Sequence, residues 1–317
     1  GDHRMSDTGT HALADGRPGY RLVRREDVVL EDALPGRSGG LTTCRLVDGT
    51  LGSTHMALTL VSLADGHVDE HLHSFETSFY VLDGEPVLYL EGRGVTLAPG
   101  ACGAIPVGMP HAFRCSGEAR WIEMASPRPR VDSSDTFFLG PAPDGAPDEL
   151  DVRDPRNRNL FRLSDGEMDL DLLRRGQAMG APTVSGSMAT AVLAYSGIAV
   201  KMLVDERLDA QLHTMFMVDY QPGACANPHD HPFEESYFML EGDVDVVADG
   251  DRYTLRPGDF FWTGTGCVHA FYETQGNRVK WLETSAPGPP PRHSYRHQRD
   301  WDYLAERLAT HAGATAA

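Results

Sequence analysis

The chain repeats itself, and that constrains its fold more than anything else in it. His71-Leu-His73-Ser-Phe-Glu-Thr77-Ser-Phe-Tyr-Val-Leu-Asp-Gly84 lines up with His229-Asp-His231-Pro-Phe-Glu-Glu235-Ser-Tyr-Phe-Met-Leu-Glu-Gly242 at an offset of 158 residues. The same offset carries Pro99-Gly100 to Pro257-Gly258 and His111-Ala-Phe113 to His269-Ala-Phe271. Upstream the offset shortens to 157, as in Leu46-Val-Asp48 to Leu203-Val-Asp205. Downstream it lengthens to 160, where Trp121-Ile-Glu123 meets Trp281-Leu-Glu283. A repeat this long, with small insertions, means two copies of one domain rather than a solenoid.

Each copy reads as short strands. Met56-Ala-Leu-Thr-Leu-Val-Ser, Ser78-Phe-Tyr-Val-Leu and Val87-Leu-Tyr-Leu have counterparts in Thr214-Met-Phe-Met-Val, Ser236-Tyr-Phe-Met-Leu and Val244-Asp-Val-Val. Asp-Gly, Glu-Gly and Pro-Gly pairs separate these runs, and glycine adopts positive φ at no steric cost. Strands of this length and spacing predict an all-β protein built as a sandwich or jelly roll. The reading divides the chain into five parts. Residues 1–18 are polar and expected to be disordered, and 19–127 form an N-terminal domain. Residues 128–180 connect, with a short helix near 166–175 opened by Ser164-Asp-Gly-Glu167. Residues 181–291 form a C-terminal domain. The tail, 292–317, carries a short helix because Trp301, Leu304 and Leu308 fall at helical spacing.

The second copy gathers chemistry. Alternation along a strand places His229 and His231 on one face. Glu235 lies four residues on, and His269 follows from the far end of the domain. Three imidazoles and a carboxylate, without thiolate, suit a divalent first-row metal: iron, manganese, nickel or copper, with zinc also compatible. Glu234 has a counterpart in Glu76 and reads as structural, so spacing favours Glu235 as the donor. The first copy offers His71, His73 and His111 as a second metal site, with Thr77 where the carboxylate would stand. Strand parity adds Tyr237, Met239 and Phe271 to an apolar substrate pocket, together with Met215 and Met217, or Phe216 on the opposite face. His293 and His297 read as a surface pair in the tail.

These motifs resemble those of the cupins. Gly223 to Gly242 fits the first cupin motif without a gap. Gly258 to His269 fits the second, except that Gly264 stands in place of the usual proline. In the first copy Pro106 keeps that proline, while Gly66 lies one residue closer to His71 than the pattern asks. The resemblance covers roughly residues 36–127 and 194–287. It implies two tandem jelly-roll barrels laid out like the bicupins that include oxalate decarboxylases, quercetin dioxygenases and ureidoglycine aminohydrolases. A fold of this kind does not fix the reaction.

The function expected is that of a metal-dependent enzyme, foremost a dioxygenase acting on an aromatic or enolic small molecule. Glu235 would serve both as metal donor and as catalytic base. The alternatives are a non-redox manganese-type hydrolase, isomerase or decarboxylase, or a binding protein without catalysis. A formal charge of −18 disfavours nucleic acid and anionic membranes as partners. No apolar run is long enough to span a bilayer. The five cysteines are odd in number and lack metal-type pairing, so a cytoplasmic location is expected. The assembly expected is a monomer or homodimer.

Overall fold

The computed structural model describes residues 7–163 and 195–289, together with the main chain of a two-residue strand, Arg296–His297. The connector helix expected near 166–175 and the helix expected in the tail lie outside the described residues. Within them the chain is strand, joined by turns and by the 3-10 turns Arg25–Asp27, Pro155–Asn157 and Glu206–Leu208. It forms two extended sheets, one for each copy of the repeat. The all-β, tandem jelly-roll architecture is as the sequence implies.

In the first sheet the 17-residue strand Ala57–His73 runs antiparallel between Ser38–Val47 and His111–Ser126. The strand Glu76–Asp83 lies between His111–Ser126 and Ala101–Ile105. The second sheet repeats the plan. Its 17-residue strand Thr214–Asp230 pairs with Tyr195–Val204, Val279–Ala286 and His269–Tyr272. Its strand Glu234–Glu241 pairs with Val279–Ala286 and Phe260–Thr263. The glycine that closes the first motif is needed in both copies. Gly84 (φ +79°) and Gly242 (φ +70°) take the left-handed region, and a Cβ there would stand 2.2 Å from Glu118 O and 2.1 Å from Arg278 O.

The long strands are buried on both faces. In Thr214–Asp230, Phe216, Val218 and Tyr220 enter the second barrel beside Phe271 and Trp281. The intervening Met215 and Met217 face the other way, into a cluster shared by both domains. That cluster brings Met56, Leu58 and Met124 of the first domain against Met215, Phe238 and Trp262 of the second. Burial on both sides explains why these strands read as continuous apolar runs rather than as alternation.

The chain also differs from the sequence reading at its start. Residues 9–12 and 18–23, expected in a disordered segment and at the edge of the N-terminal domain, are strands of the other sheet. Pro18–Val23 pairs with Phe260–Thr263 of the second domain, and Gly9–Ala12 pairs with Pro18–Val23. Tyr20 and Leu22 supply the apolar side chains that hold them there, each at most 1% exposed. The connector answers in kind. Its strand Leu160–Arg162 pairs with Ala101–Ile105 of the first domain, at the position matching Phe260–Thr263. Each barrel therefore receives a strand from the segment that leads into its neighbour.

Two carboxylates complete the exchange. Glu76 accepts hydrogen bonds from Gln211 N (2.8 Å) and Leu212 N (3.0 Å) of the second domain, and His213 Nδ1 lies 2.8 Å from it. Its repeat partner Glu234 accepts from Thr54 N (2.6 Å) and His55 N (3.1 Å) of the first. Burial alone would raise both carboxyls. At Glu76 the His213 ring and the two amides outweigh burial and hold it below the ordinary value of 4.5. At Glu234 burial outweighs the Thr54 and His55 amides and pushes the carboxyl up to about 7.

We expect Glu76→Ala to cost about 3 kcal/mol, because it strands two amides and a buried ring. A lower urea midpoint with unchanged slope would show this. A depressed carboxyl stabilises fully above its unfolded value and loses that share as the pH falls. The stability gap between wild type and Glu76→Gln should therefore narrow below pH 4.5. Met215→Ala should destabilise by roughly 2–5 kcal/mol while leaving metal content, measured by elemental analysis, unchanged.

Candidate metal centre

The second barrel brings His229, His231 and His269 together. His229 stands near the end of Thr214–Asp230, directly opposite His269, the first residue of its strand. His231 follows just beyond the strand end. The ring centroids lie 4.4 Å (His229–His269), 5.0 Å (His231–His269) and 5.9 Å (His229–His231) apart. One nitrogen from each ring falls within 4.8 Å of the others, a spacing that could hold a metal ion. All three rings are at most 5% exposed.

Their orientation is fixed from behind. Nδ1 of His229 bonds Asn227 O at 2.7 Å, Nδ1 of His231 bonds Phe233 O at 2.8 Å, and Nδ1 of His269 bonds Cys267 O at 2.8 Å. A carbonyl only accepts, so each Nδ1 carries the proton and each Nε2 presents a lone pair. Burial lowers His231 to about 4. Burial, joined by the nearby His231, lowers His269 to about 3. Neutral imidazoles with this tautomer are the form that binds metal, and the outer hydrogen bond is what aims them.

Glu235 comes from the second position of Glu234–Glu241, between Thr263 and Ser285 in register. Its Oε1 touches His231 Nε2. No well-aligned hydrogen bond reaches its buried Oε2. Burial pushes this carboxyl up to about 7. The carboxyl stands against one of the three rings, His231, and beside Glu283 and Ser285; it does not fall within the 4.8 Å cluster of the three ring nitrogens. The three imidazole nitrogens by themselves are donors suited to a divalent first-row ion.

The sequence reading missed Glu283. It lies beside Glu235, and burial together with that neighbouring carboxyl raises it well above the ordinary value. The indole of Trp281 donates to its Oε1 at 3.0 Å. The signal was present in the repeat, since Trp121-Ile-Glu123 sets the same bond at 3.3 Å in the first barrel. Tyr237, Met239 and Phe271 pack in the second barrel with Phe216 and Phe261. Met215 and Met217, expected in the substrate pocket, do not; they face the neighbouring domain. Parity along the strand decides this, because Phe216 is the residue opposite Glu283.

The first barrel assembles His71, His73 and His111 in the same way, again with nitrogens within 4.8 Å. Nδ1 of His71 bonds Asp69 O (2.7 Å) and Nδ1 of His111 bonds Met109 O (2.9 Å). His73 departs from the pattern, since its Nδ1 meets Thr136 Oγ1 (2.8 Å) from the connector strand Thr136–Gly140. Thr77 holds the place of Glu235 on the equivalent strand, buried, with no hydrogen bond at Oγ1. In the tail, His297 pairs through its main chain with His229; His293 lies outside the described residues.

Comparison with known proteins agrees with this geometry. Residues 59–125 and 216–285 match the cupin domain family. Quercetin 2,3-dioxygenase of Bacillus subtilis is 24% identical over 259 residues, spanning 74% of this chain and 75% of the relative. Among solved structures, salicylate 1,2-dioxygenase from Pseudoaminobacter salicylatoxidans superposes with a TM-score of 0.66 at 14% identity, covering 92% of this chain and 83% of that one. Oxalate decarboxylase from Lactobacillus farciminis gives 0.59 at 14% identity, over 91% and 90%. The chain thus carries one cupin domain on each side of the connector.

Proposed function

We propose that the protein is a metal-dependent dioxygenase whose centre, in the C-terminal barrel, is held by His229, His231, Glu235 and His269. One observation carries this reading. Three buried imidazoles bring one nitrogen each within 4.8 Å of the others, and the buried Glu235 carboxyl touches one of them, His231. A metal bound there would supply open coordination positions for an organic substrate and for dioxygen. The residues of the chain do the rest. Phe216, Met239, Phe261 and Phe271 belong to the apolar interior of the same barrel, an environment that would favour an aromatic or enolic molecule and exclude water. Glu235 is the carboxylate in this barrel that would accept a proton from a substrate hydroxyl. Glu283 beside it limits the pair to one full charge. Two relatives are dioxygenases by name, one of quercetin and one of salicylate, and this supports the same class here.

A non-redox reaction is the second reading, favoured by the likeness to an oxalate decarboxylase. The two readings part on oxygen uptake. With iron, copper or nickel bound, a panel of catechols, flavonols and diketones should include a substrate that consumes dioxygen. Turnover of a panel member without oxygen uptake would establish the second reading instead.

Glu235→Ala should lower metal affinity at least tenfold, as befits the loss of a charged donor, while Thr77→Ala leaves metal content unchanged. Metal analysis after dialysis checks both. The reverse pattern would move the centre to the N-terminal barrel.

A further inference from the structure

Cross-strand register lines up four side chains on one face of the first sheet. Phe79 lies opposite Glu123, Glu123 opposite Thr59, and Thr59 opposite Arg45. That face is the barrel interior, since Phe79 and Trp121, the residue two before Glu123, belong to its core. The matching row of the second barrel is Tyr237, Glu283, Phe216 and Met202. There the two far positions are apolar: Phe216 is 8% exposed in the core, and Met202 packs against that core. In the first barrel the same two positions carry a hydroxyl and a guanidinium. The carboxylates differ in company as well, because Glu283 lies beside Glu235 and the first barrel has Thr77 at that place.

The row of the first barrel opens outward. Phe79 is buried, Glu123 and Thr59 are half-buried, and the Arg45 side chain is 44% exposed. Its polar groups have capacity to spare. Trp121 Nε1 donates to Glu123 Oε2 at 3.3 Å, and among the described residues no hydrogen bond reaches Oε1. None reaches Thr59 Oγ1. Arg45 meets Asp48 at 3.8 Å, the limit of an ion pair, and an exposed pair of this kind contributes little. Burial raises the Glu123 carboxyl above its ordinary value, while the Trp121 indole and the charge of Arg45 pull it down. Neighbouring strands lie about 4.8 Å apart, so Arg45 and Glu123 start about 10 Å from each other with Thr59 between them. Side chains reaching across that span leave room for a small organic molecule.

We propose that Arg45, Thr59 and Glu123 form a ligand site in the N-terminal barrel for a small carboxylate that carries a hydroxyl group. The Arg45 guanidinium pairs with the ligand carboxylate, the fork-to-fork match that arginine makes best. The ligand hydroxyl donates to Glu123 Oε1, and the Thr59 hydroxyl, both donor and acceptor, bridges the two ends. The twin row, with phenylalanine and methionine at these places, offers no such partners. The two barrels thus take molecules of different polarity. This site stands apart from the metal centre of the second barrel, so its failure would leave that reading untouched.

The test is titration calorimetry on the full-length protein, with 3-hydroxypropionate as the probe and propionate as the control that lacks the hydroxyl. The probe should bind, and propionate should bind about tenfold more weakly. Arg45→Met and Glu123→Gln should each weaken the probe about tenfold or more, with the far-UV circular dichroism unchanged. Arg45→Met copies the side chain that the twin row already carries, and Glu123→Gln keeps an acceptor for the Trp121 indole. Arg252→Met, which removes an arginine 54% exposed on the second barrel, should leave binding as it was. Absence of binding, binding that survives Arg45→Met or Glu123→Gln, equal affinity for propionate, or an equal loss in Arg252→Met overturns the proposal.

Discussion

A neutral imidazole has one nitrogen that donates and one that accepts, and this protein settles which is which by backbone carbonyls. Five of the six barrel histidines described above give their Nδ1 proton to a main-chain oxygen at 2.7–2.9 Å. Those oxygens belong to residues two positions away along the chain, so strand geometry itself turns the rings. No side chain has to be recruited and no charge is placed behind the ring. Everything chemical about the site follows from that, because rings turned the other way would face one another with N–H groups and repel a cation. His73 alone relies on a side chain, Thr136 Oγ1, reached from the connector. The first triad therefore takes one of its orienting bonds from the connector strand Thr136–Gly140.

The two barrels show what duplication leaves free to change. The lengths of the two histidine- and motif-bearing strands (17 and 8 residues in each copy), the turn glycines and the histidine positions are held in both, since each fixes the register of a buried sheet. The interior facing the histidines has diverged. Glu235 and Tyr237 sit in one copy, and Thr77 and Phe79 sit at the matching places in the other. Packing is nearly indifferent to these exchanges, as the equal burial of Tyr237 and Phe79 shows. A fold that tolerates such swaps can keep one barrel for chemistry while the other holds the pair together.

Much of this was legible in the sequence. The repeat offset gave the domain number, and His-x-His with the distant histidine gave the triads, because period-two geometry makes those statements local. Three things were not legible, each for a physical reason. Met215 and Met217 look like pocket residues because the strand is apolar throughout, and only the presence of a second domain tells the two faces apart. Glu283 was hidden by its distance in sequence from the histidines, although the repeated Trp-x-Glu spelled out its hydrogen bond. The pairing of residues 9–23 with the far sheet depends on contacts over more than 200 residues, which no local pattern encodes. Glu76 and Glu234 were read as structural from their symmetry, and the structure gives that symmetry its content: each carboxylate grips the neighbouring domain.

The exchange of leading strands reaches beyond stability. A gene cut between the two halves would not yield two whole barrels. The C-terminal fragment would lack Pro18–Val23, leaving the main-chain groups of Phe260–Thr263 open along an apolar edge. The ancestral single unit, if it closed in this manner, had to borrow its last strand from a sister molecule. Joining two units in one polypeptide converts that encounter between molecules into a fold of one chain, and only then is one barrel free to drift from the other.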